Sequence, residues 1–280
     1  MIYPFVKICL VITKDDNMYK LIAIDIDGTL LNHTKNVTVE TKQAINFASK
    51  KGIQVVLATG RPVQGIYDLY EQLDLDTPAI TYNGAIVLAH KGGPVIYERP
   101  LSPSNTQSII EKGKQLKTTI AIWYDSKLYT NKLNERAKEY STISNISPIL
   151  YNNNTDILQN GATKILYYDD ETKVEKYMID LKNTFPSDVL YHTSRPYFLE
   201  FVNSKVSKAI ALEKVREFLN IEQDEIMAIG DGFNDLSMIE YANLGIAMGT
   251  APEEVKRKAQ YVTSSWANNG VATAIYKFIK

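Results

Sequence analysis

The chain has a single cysteine, Cys9, among its 280 residues. One thiol cannot form an intramolecular disulfide, so we expect a fold held by its packed core in a reducing compartment, the cytoplasm. Net charge is scarce as well, because 31 Lys and Arg residues oppose 32 Asp and Glu residues. Without a surplus of either sign, the composition favours neither nucleic acid nor an anionic membrane as a partner, and it implies no protein partner.

Long apolar runs are also missing. The apolar stretch at residues 1–13, MIYPFVKICLVIT, is interrupted by Pro4 and Lys7. A transmembrane helix needs about 20 apolar residues, and a secretory signal needs a basic start and a small-x-small cleavage site. This stretch has neither feature. Because the chain from Met18 opens directly on an apolar strand, we expect residues 1–17 to form an extension outside the core.

Apolar strand-like runs alternate with amphipathic helical patterns along most of the chain. The strand-like runs are residues 21–24, 53–58, 79–81, 225–229 and 245–247. This alternation predicts an α/β fold, with a Rossmann-like parallel sheet that carries helices on both faces. Functional side chains of such sheets lie at the carboxyl ends of the strands.

The middle of the chain has a different composition. Residues 84–195 are rich in Tyr and contain the turn signals HKGGP, RPLSPSN and YNNNTD. We predict that they form a second, smaller α/β domain. It would be inserted into a core made of residues 18–83 and 196–280, with the core sheet resuming near 198–202.

Two carboxylates follow the first strand in the stretch KLIAIDIDGTLLN. Residues i and i+2 of a strand point to the same face, so we expect Asp25 and Asp27 to lean over one edge of the sheet, with Gly28 allowing the chain to turn. Like charges this close are tolerated if a divalent cation bridges the region or if one carboxylate stays protonated. A loop of capping aspartates is the alternative interpretation.

Two further segments suit an anion. In LATGRP, the Thr59 hydroxyl and the Gly60 N–H precede a helix, which is a site for a phosphate oxygen. In VNSKVSKAIALEKV, Lys205 and Lys208 begin a helix, where a cation opposes the macrodipole and a nearby anion would explain it. Lys208 is the better candidate because it directly precedes the apolar run. Taken alone, these residues could equally be a turn threonine and a solvated lysine.

The stretch MAIGDGFNDLSMI places Asp231 and Asp235 around a glycine turn after a strand. Carboxylate oxygens are the ligands that Mg²⁺ prefers. The spacing does not match the calcium-binding loop pattern, and a generic turn is the alternative.

The ordered set DIDGTLLN, ATGRP, Lys208 and GDGFNDLSMI resembles the haloacid dehalogenase (HAD) superfamily of phosphatases, in particular its Cof-type branch with a large C2-type cap. The stretch AMGTAPEEVKRKAQYVTSSWANNGV adds to the likeness, which extends over residues 18–280 and is weaker across the insert. The resemblance implies a hydrolase that acts on phosphoric monoesters. It implies a small substrate, such as a sugar phosphate or a phosphorylated cofactor, and an inserted domain that serves as a lid.

The resemblance also implies a role for each acidic residue and for the bound metal. Asp25 would be the nucleophile that forms an aspartyl-phosphate, and Asp27 would act as general acid and then as general base. Mg²⁺ would be held by Asp25, the backbone carbonyl of Asp27 and Asp231, with Asp235 as a further ligand.

The remaining motif residues would hold the phosphoryl group and the substrate. Thr59 and Lys208 would bind the phosphoryl oxygens, and Lys208 would keep Asp25 ionised. Gly28, Gly60, Asn234 and Asn83 of the TYNGA turn would complete the phosphate and substrate contacts. A phosphomutase of the same superfamily and a non-enzymatic phosphate- or metal-binding regulatory protein remain as alternatives.

Overall fold

A computed structural model describes residues 18–31, 36–153 and 155–280. The expected N-terminal extension, residues 1–17, lies outside the described residues. Within them the chain forms fourteen strands: β1 (Leu21–Ile24), β2 (Gln54–Ala58), β3 (Ala79–Thr81), β4 (Ile86–Leu88), β5 (Val95–Glu98), β6 (Thr119–Tyr124), β7 (Lys127–Thr130), β8 (Ile149–Leu150), β9 (Lys164–Tyr168), β10 (Val189–Arg195), β11 (Phe198–Asn203), β12 (Ile226–Gly230), β13 (Leu244–Ala247) and β14 (Tyr261–Val262).

The described residues also form ten α-helices. These are α1 (Val39–Lys50), α2 (Tyr67–Leu73), α3 (Pro103–Gln115), α4 (Glu135–Ser144), α5 (Thr155–Asn160), α6 (Glu171–Asp180), α7 (Lys208–Leu219), α8 (Leu236–Tyr241), α9 (Glu253–Lys258) and α10 (Gly270–Phe278). None of the helices in the described part of the chain combines the length and hydropathy that crossing a membrane requires.

The first sheet has eight strands in the order β14-β13-β12-β1-β2-β3-β4-β5. Strands β14 to β3 pair in parallel, and β4 and β5 add an antiparallel edge. The sequence of β1, LIAI, is buried on both faces, because α1 and α10 cover one face of the sheet and α7 and α8 cover the other. An uninterrupted apolar strand in a parallel sheet is typical of this arrangement. The predicted fold class is therefore confirmed.

The second sheet has six strands in the order β10-β11-β9-β6-β7-β8. Helices α3 and α6 pack on one of its faces around Ile120, Ile122 and Phe201. The opposite face contributes Trp123 and Phe198 to the same apolar cluster that lines the first sheet. The second sheet therefore turns one face toward the first.

The strand pairing differs from our prediction at both boundaries of the insert, which we placed at residues 84–195. Strands β4 and β5 fall inside that range, yet they pair with β3 and extend the first sheet. Strand β11, which we expected to resume the first sheet, instead pairs with β9 and β10. The reason is that an apolar run such as FLEFVN forms a strand in either sheet, and its partners are chosen by hydrogen bonds to distant segments.

Candidate active site

Asp25 is the first residue beyond β1, at the centre of the first sheet. Its backbone N–H donates to the carbonyl of Ile229 in β12 at 2.9 Å, and its side chain is buried. The ammonium group of Lys208, which is 0% exposed, donates to Asp25 Oδ1 at 2.6 Å, to Asp235 Oδ1 at 2.5 Å and to the Ala58 carbonyl at 2.7 Å. These three bonds use all three donors of the ammonium group.

The start of α7 delivers Lys208 to this position. Ser207 caps the helix, because its hydroxyl accepts the Ile210 N–H at 3.2 Å. Gly84, in the turn after β3, has φ +104°, and a Cβ there would collide with the Ser207 backbone carbonyl. Only glycine allows this turn to lie so close to the helix start. The anion expected beside a lysine in a first helical turn is supplied by Asp25 and Asp235.

The GDGFND loop brings two further carboxylates to the same place. Asp235 Oδ2 accepts the backbone N–H groups of Asp231 and Gly232 at 3.0 and 2.8 Å. The Thr29 hydroxyl donates to Asp231 Oδ1 at 2.9 Å. Gly28 has φ +92°, and a Cβ there would overlap the Asp231 carboxylate. Gly28 therefore allows the DIDGT and GDGFND segments to pack against each other.

Three carboxylates cluster at this site, and the Lys208 ammonium group bonds to two of them. Ligand oxygens of Asp25, Asp231 and Asp235 lie within 4.8 Å of one another. Burial raises the pKa of Asp25 to about 8; Lys208 opposes the shift, and Asp235 adds to it. Burial also raises the pKa of Asp231. Burial alone would lower the pKa of Lys208, but Asp25 and Asp235 together raise it. An excess of buried carboxylate oxygens over cations fits a divalent metal with oxygen ligands.

The Asp27 carboxylate differs from that of Asp25 in its burial and in its partner. Because β1 ends at Ile24, the two-residue alternation of a strand does not extend to Asp27. Its side chain is 61% exposed and lies against Arg61, which donates Nε–H to Oδ2 at 2.8 Å and Nη2–H to Oδ1 at 2.6 Å. Each aspartate of the DID motif therefore has a cation of its own.

Arg61 is the main site residue for which the sequence analysis proposed no role. It stands in the ATGRP segment, two residues after Thr59, at the carboxyl end of the strand next to β1. A basic residue at that edge, facing the acidic DID motif, was the available signal.

The expected phosphate-binding residues lie close together at the carboxyl edge of the first sheet. Thr59 is buried, and its hydroxyl oxygen accepts the Arg61 N–H at 3.1 Å. Asn234 Nδ2 donates to Asn83 Oδ1 at 3.1 Å. A Cβ on Gly60 would lie 3.0 Å from the same Asn83 oxygen. The loops after β2, β3 and β12 therefore converge here, although the residues lie far apart in sequence.

The second sheet contacts these loops directly. Gln64 Nε2 donates to the Ser126 carbonyl in the β6–β7 turn at 2.6 Å. Tyr82 packs edge-on against Trp123, with ring centroids 5.5 Å apart. The second sheet therefore lies over the loops that carry Arg61 and Asn83.

Known proteins are similar to this chain in sequence. Residues 22–275 match the family model described as haloacid dehalogenase-like hydrolase. The Bacillus subtilis protein named "Putative phosphatase YxeH" is 33% identical over 267 residues, which cover 94% of this chain and 99% of that protein. The B. subtilis 5-amino-6-(5-phospho-D-ribitylamino)uracil phosphatase YcsE is 29% identical over 268 residues, 96% of this chain and 99% of that protein.

A solved structure agrees with both sequence comparisons. The X-ray crystal structure of TM0651 from Thermotoga maritima has a TM-score of 0.86 and 32% identity, and the match covers 94% of this chain and 98% of that one. Motif order, sheet topology and these similarities lead to one conclusion: the chain belongs to the haloacid dehalogenase-like hydrolases.

Proposed function

We propose that this protein is a Mg²⁺-dependent phosphatase that hydrolyses small phosphomonoesters through an aspartyl-phosphate on Asp25. The observation that carries the proposal is the buried contact of Lys208 with Asp25 and Asp235 at the end of β1, with Asp231 beside them. A lone ion pair would need no third carboxylate, whereas a site for a metal and a phosphoryl group would. The relatives named as phosphatases support the same reaction class.

In the first step, Asp25 would attack phosphorus while the bond to the ester oxygen breaks. Lys208 engages Asp25 Oδ1, so Oδ2 is the oxygen available for attack. The Thr59 hydroxyl would bind a phosphoryl oxygen, and Lys208, whose three donors are already engaged, would neutralise charge on the phosphoryl group from close by. The N–H of Gly60 and the side-chain amides of Asn83 and Asn234 would complete the phosphate-binding site. Gly28, which has no Cβ, would leave space for the chain to turn beside the phosphoryl group.

Asp27 would handle the protons of both steps. It would give a proton to the departing ester oxygen, then take one from the water that attacks the phosphorus of the aspartyl-phosphate. Breaking the bond between Asp25 and phosphorus then releases inorganic phosphate, and both aspartates return to their starting state.

The donor set on this chain fits Mg²⁺. Asp25, Asp231 and the Asp27 carbonyl would hold the ion. Asp235 is less available as a direct ligand, because Lys208 and two backbone N–H groups already engage its oxygens. When bound, the ion supplies positive charge that stabilises the charge developing on the transferring group.

We further propose that the second sheet with its helices is a cap that excludes water and selects the leaving group. Its contacts with the loops around Gln64 and Tyr82 support this role. The substrate class would be small phosphomonoesters such as sugar phosphates or phosphorylated cofactors. A relative is named as a phosphatase of a small phosphorylated ribitylamino compound, which supports a small substrate.

The test is phosphate release from a panel of sugar phosphates, nucleotides and phosphorylated cofactors, with Mg²⁺ or with EDTA. We expect Mg²⁺-dependent release by the wild type, none by Asp25→Asn and normal release by Asp180→Asn, which changes an exposed aspartate of α6. Acid quenching with a radiolabelled ester should trap label on the wild type only, in a form that hydroxylamine removes. Release that survives Asp25→Asn would overturn the proposal, and isomerised ester without net release would indicate a phosphomutase.

A further inference from the structure

We propose that Arg61 is a positioning residue for Asp27, and that its guanidinium group fixes the direction in which the acid–base carboxylate faces the substrate. This inference rests on the proposed function, since it assumes that Asp27 transfers the protons. The family resemblance gives roles to Thr59 and Gly60 of the ATGRP segment and none to Arg61. The contact joins two loops that lie 34 residues apart in sequence.

Asp27 needs a partner to hold its direction. It lies beyond the end of β1 on a turn, and its side chain is 61% exposed. Among the described residues, Arg61 donates both of the side-chain hydrogen bonds that Asp27 receives, one to each oxygen. A bidentate guanidinium contact fixes the plane of a carboxylate as well as its distance.

Arg61 is itself held at three points. Its Nη1 donates to the Gly65 carbonyl at 3.3 Å. Its backbone N–H donates to the Thr59 hydroxyl, and its carbonyl accepts the Tyr82 N–H at 3.0 Å. These contacts fix the guanidinium group relative to the same loops that would hold the phosphoryl group. It relates the direction of Asp27 to the position of the substrate.

The contact is compatible with both charge states of Asp27. As a carboxylate, Asp27 accepts both bonds and keeps a lone pair on each oxygen for water. As a carboxylic acid, it accepts only one of these bonds, through its carbonyl oxygen, and its hydroxyl hydrogen is left to donate elsewhere. A lysine has no planar fork and would hold only one oxygen at a time.

The test separates proton donation from binding by changing the leaving group. An alkyl phosphomonoester needs a proton on its departing oxygen, whereas p-nitrophenyl phosphate expels a stable anion without one. For Arg61→Ala we expect kcat/KM, which covers steps up to the departure of the leaving group, to fall about 100-fold for the alkyl ester. For p-nitrophenyl phosphate it should stay within about threefold of the wild-type value, since general acid catalysis adds little there.

The same variant should show a second signature. Because Asp27 also activates water, kcat should fall for both esters, and p-nitrophenol should appear as a burst followed by slow turnover. Added guanidinium ion should partly restore turnover of the alkyl ester, and Arg61→Lys should retain part of the wild-type rate. Arg257→Ala, at an exposed arginine of α9, is the matched control and should behave as the wild type.

Other outcomes would overturn the inference. Equal loss of kcat/KM for both esters would mean that Arg61 binds the phosphoryl group or supports the fold. No loss for either ester would mean that Asp27 does not need Arg61 to fix its direction. Asp27→Asn separates this failure from a failure of the proposed function. If Asp27→Asn loses the alkyl ester selectively while Arg61→Ala does not, only the role of Arg61 fails. A wild type that hydrolyses neither ester overturns both.

Discussion

At the scale of single residues, the site is dominated by charges that are buried without full compensation. Asp25 lies beside Asp235 and Asp231, and Lys208 is the buried cation among them. Desolvation disfavours a charged carboxylate, and its acidic neighbours disfavour it further. The energy that such a site costs in the folded state depends on pH.

The stability of the metal-free protein should therefore fall as pH rises. The folded-state pKa of Asp25, about 8, lies above its ordinary value of 3.8, so between these values the folded chain keeps a proton that the unfolded chain has lost. The contribution of Asp25 to stability is complete below about pH 4 and is lost as pH rises through 8. Its loss is at most about 1.4 kcal/mol for each pH unit.

Asp25→Asn isolates this effect, because asparagine has nearly the same shape and does not titrate. Urea unfolding in EDTA at a series of pH values should show the variant gaining stability relative to the wild type between pH 4 and 8. Asp180→Asn should show a small, constant difference. Parallel pH profiles for the wild type and Asp25→Asn would contradict the prediction.

At the scale of elements, the site depends on how closely the loops approach one another. The turn after β3 passes directly beneath the start of α7, where Gly84 faces the Ser207 carbonyl. Any displacement of Ser207 moves Lys208, the next residue and the first of the helix. The backbone packing of one glycine therefore determines the position of a catalytic candidate.

Gly84→Ala should cost both stability and activity. The closest control is Gly92→Ala, because Gly92 also has a positive φ, +65°, but open space around its Cβ position. The control should lose about 1 kcal/mol of unfolding free energy from backbone strain alone. Gly84→Ala should lose more and should also lower kcat, as measured by urea unfolding and phosphate release. Equal losses in both variants, with unchanged kcat, would show that the contact with Ser207 is unimportant.

At the scale of the whole molecule, the two sheets are joined through shared apolar packing. Trp123 of the second sheet is buried against Tyr82 of the first-sheet loops and donates Nε1–H to the Tyr140 hydroxyl at 2.9 Å. Residues of both sheets belong to one apolar cluster. Packing of this kind couples the unfolding of the parts that share it.

The two sheets should accordingly unfold in one transition. The chain has two tryptophans, Trp123 in the second sheet and Trp266 between β14 and α10. Trp266→Phe leaves a fluorescence probe of the second sheet, and Trp123→Phe leaves a probe of the first. In each variant the fluorescence midpoint in urea should coincide with the midpoint from far-ultraviolet circular dichroism. Separate midpoints would mean that the second sheet unfolds independently.

The sequence alone determined the fold class and the segments that meet at the site. Apolar strands followed directly by Asp25, Thr59 or Asp231 are local patterns, and a parallel sheet brings the carboxyl ends of its strands to one edge whatever its side chains are. Gly28 and Gly60 could be recognised as turn residues for the same reason. Motif order was enough to identify the family.

Only the tertiary structure decided which groups pair and which sheet each strand joins. The contact of Arg61 with Asp27 and the place of β11 in the second sheet both depend on partners far away in the chain. The burial of the two DID aspartates was another such case, since Asp25 is buried and Asp27 is exposed. The physical reason is that hydrogen-bond partners and burial are properties of the assembled chain. Identical local patterns can therefore be exposed or buried, and they can join either sheet.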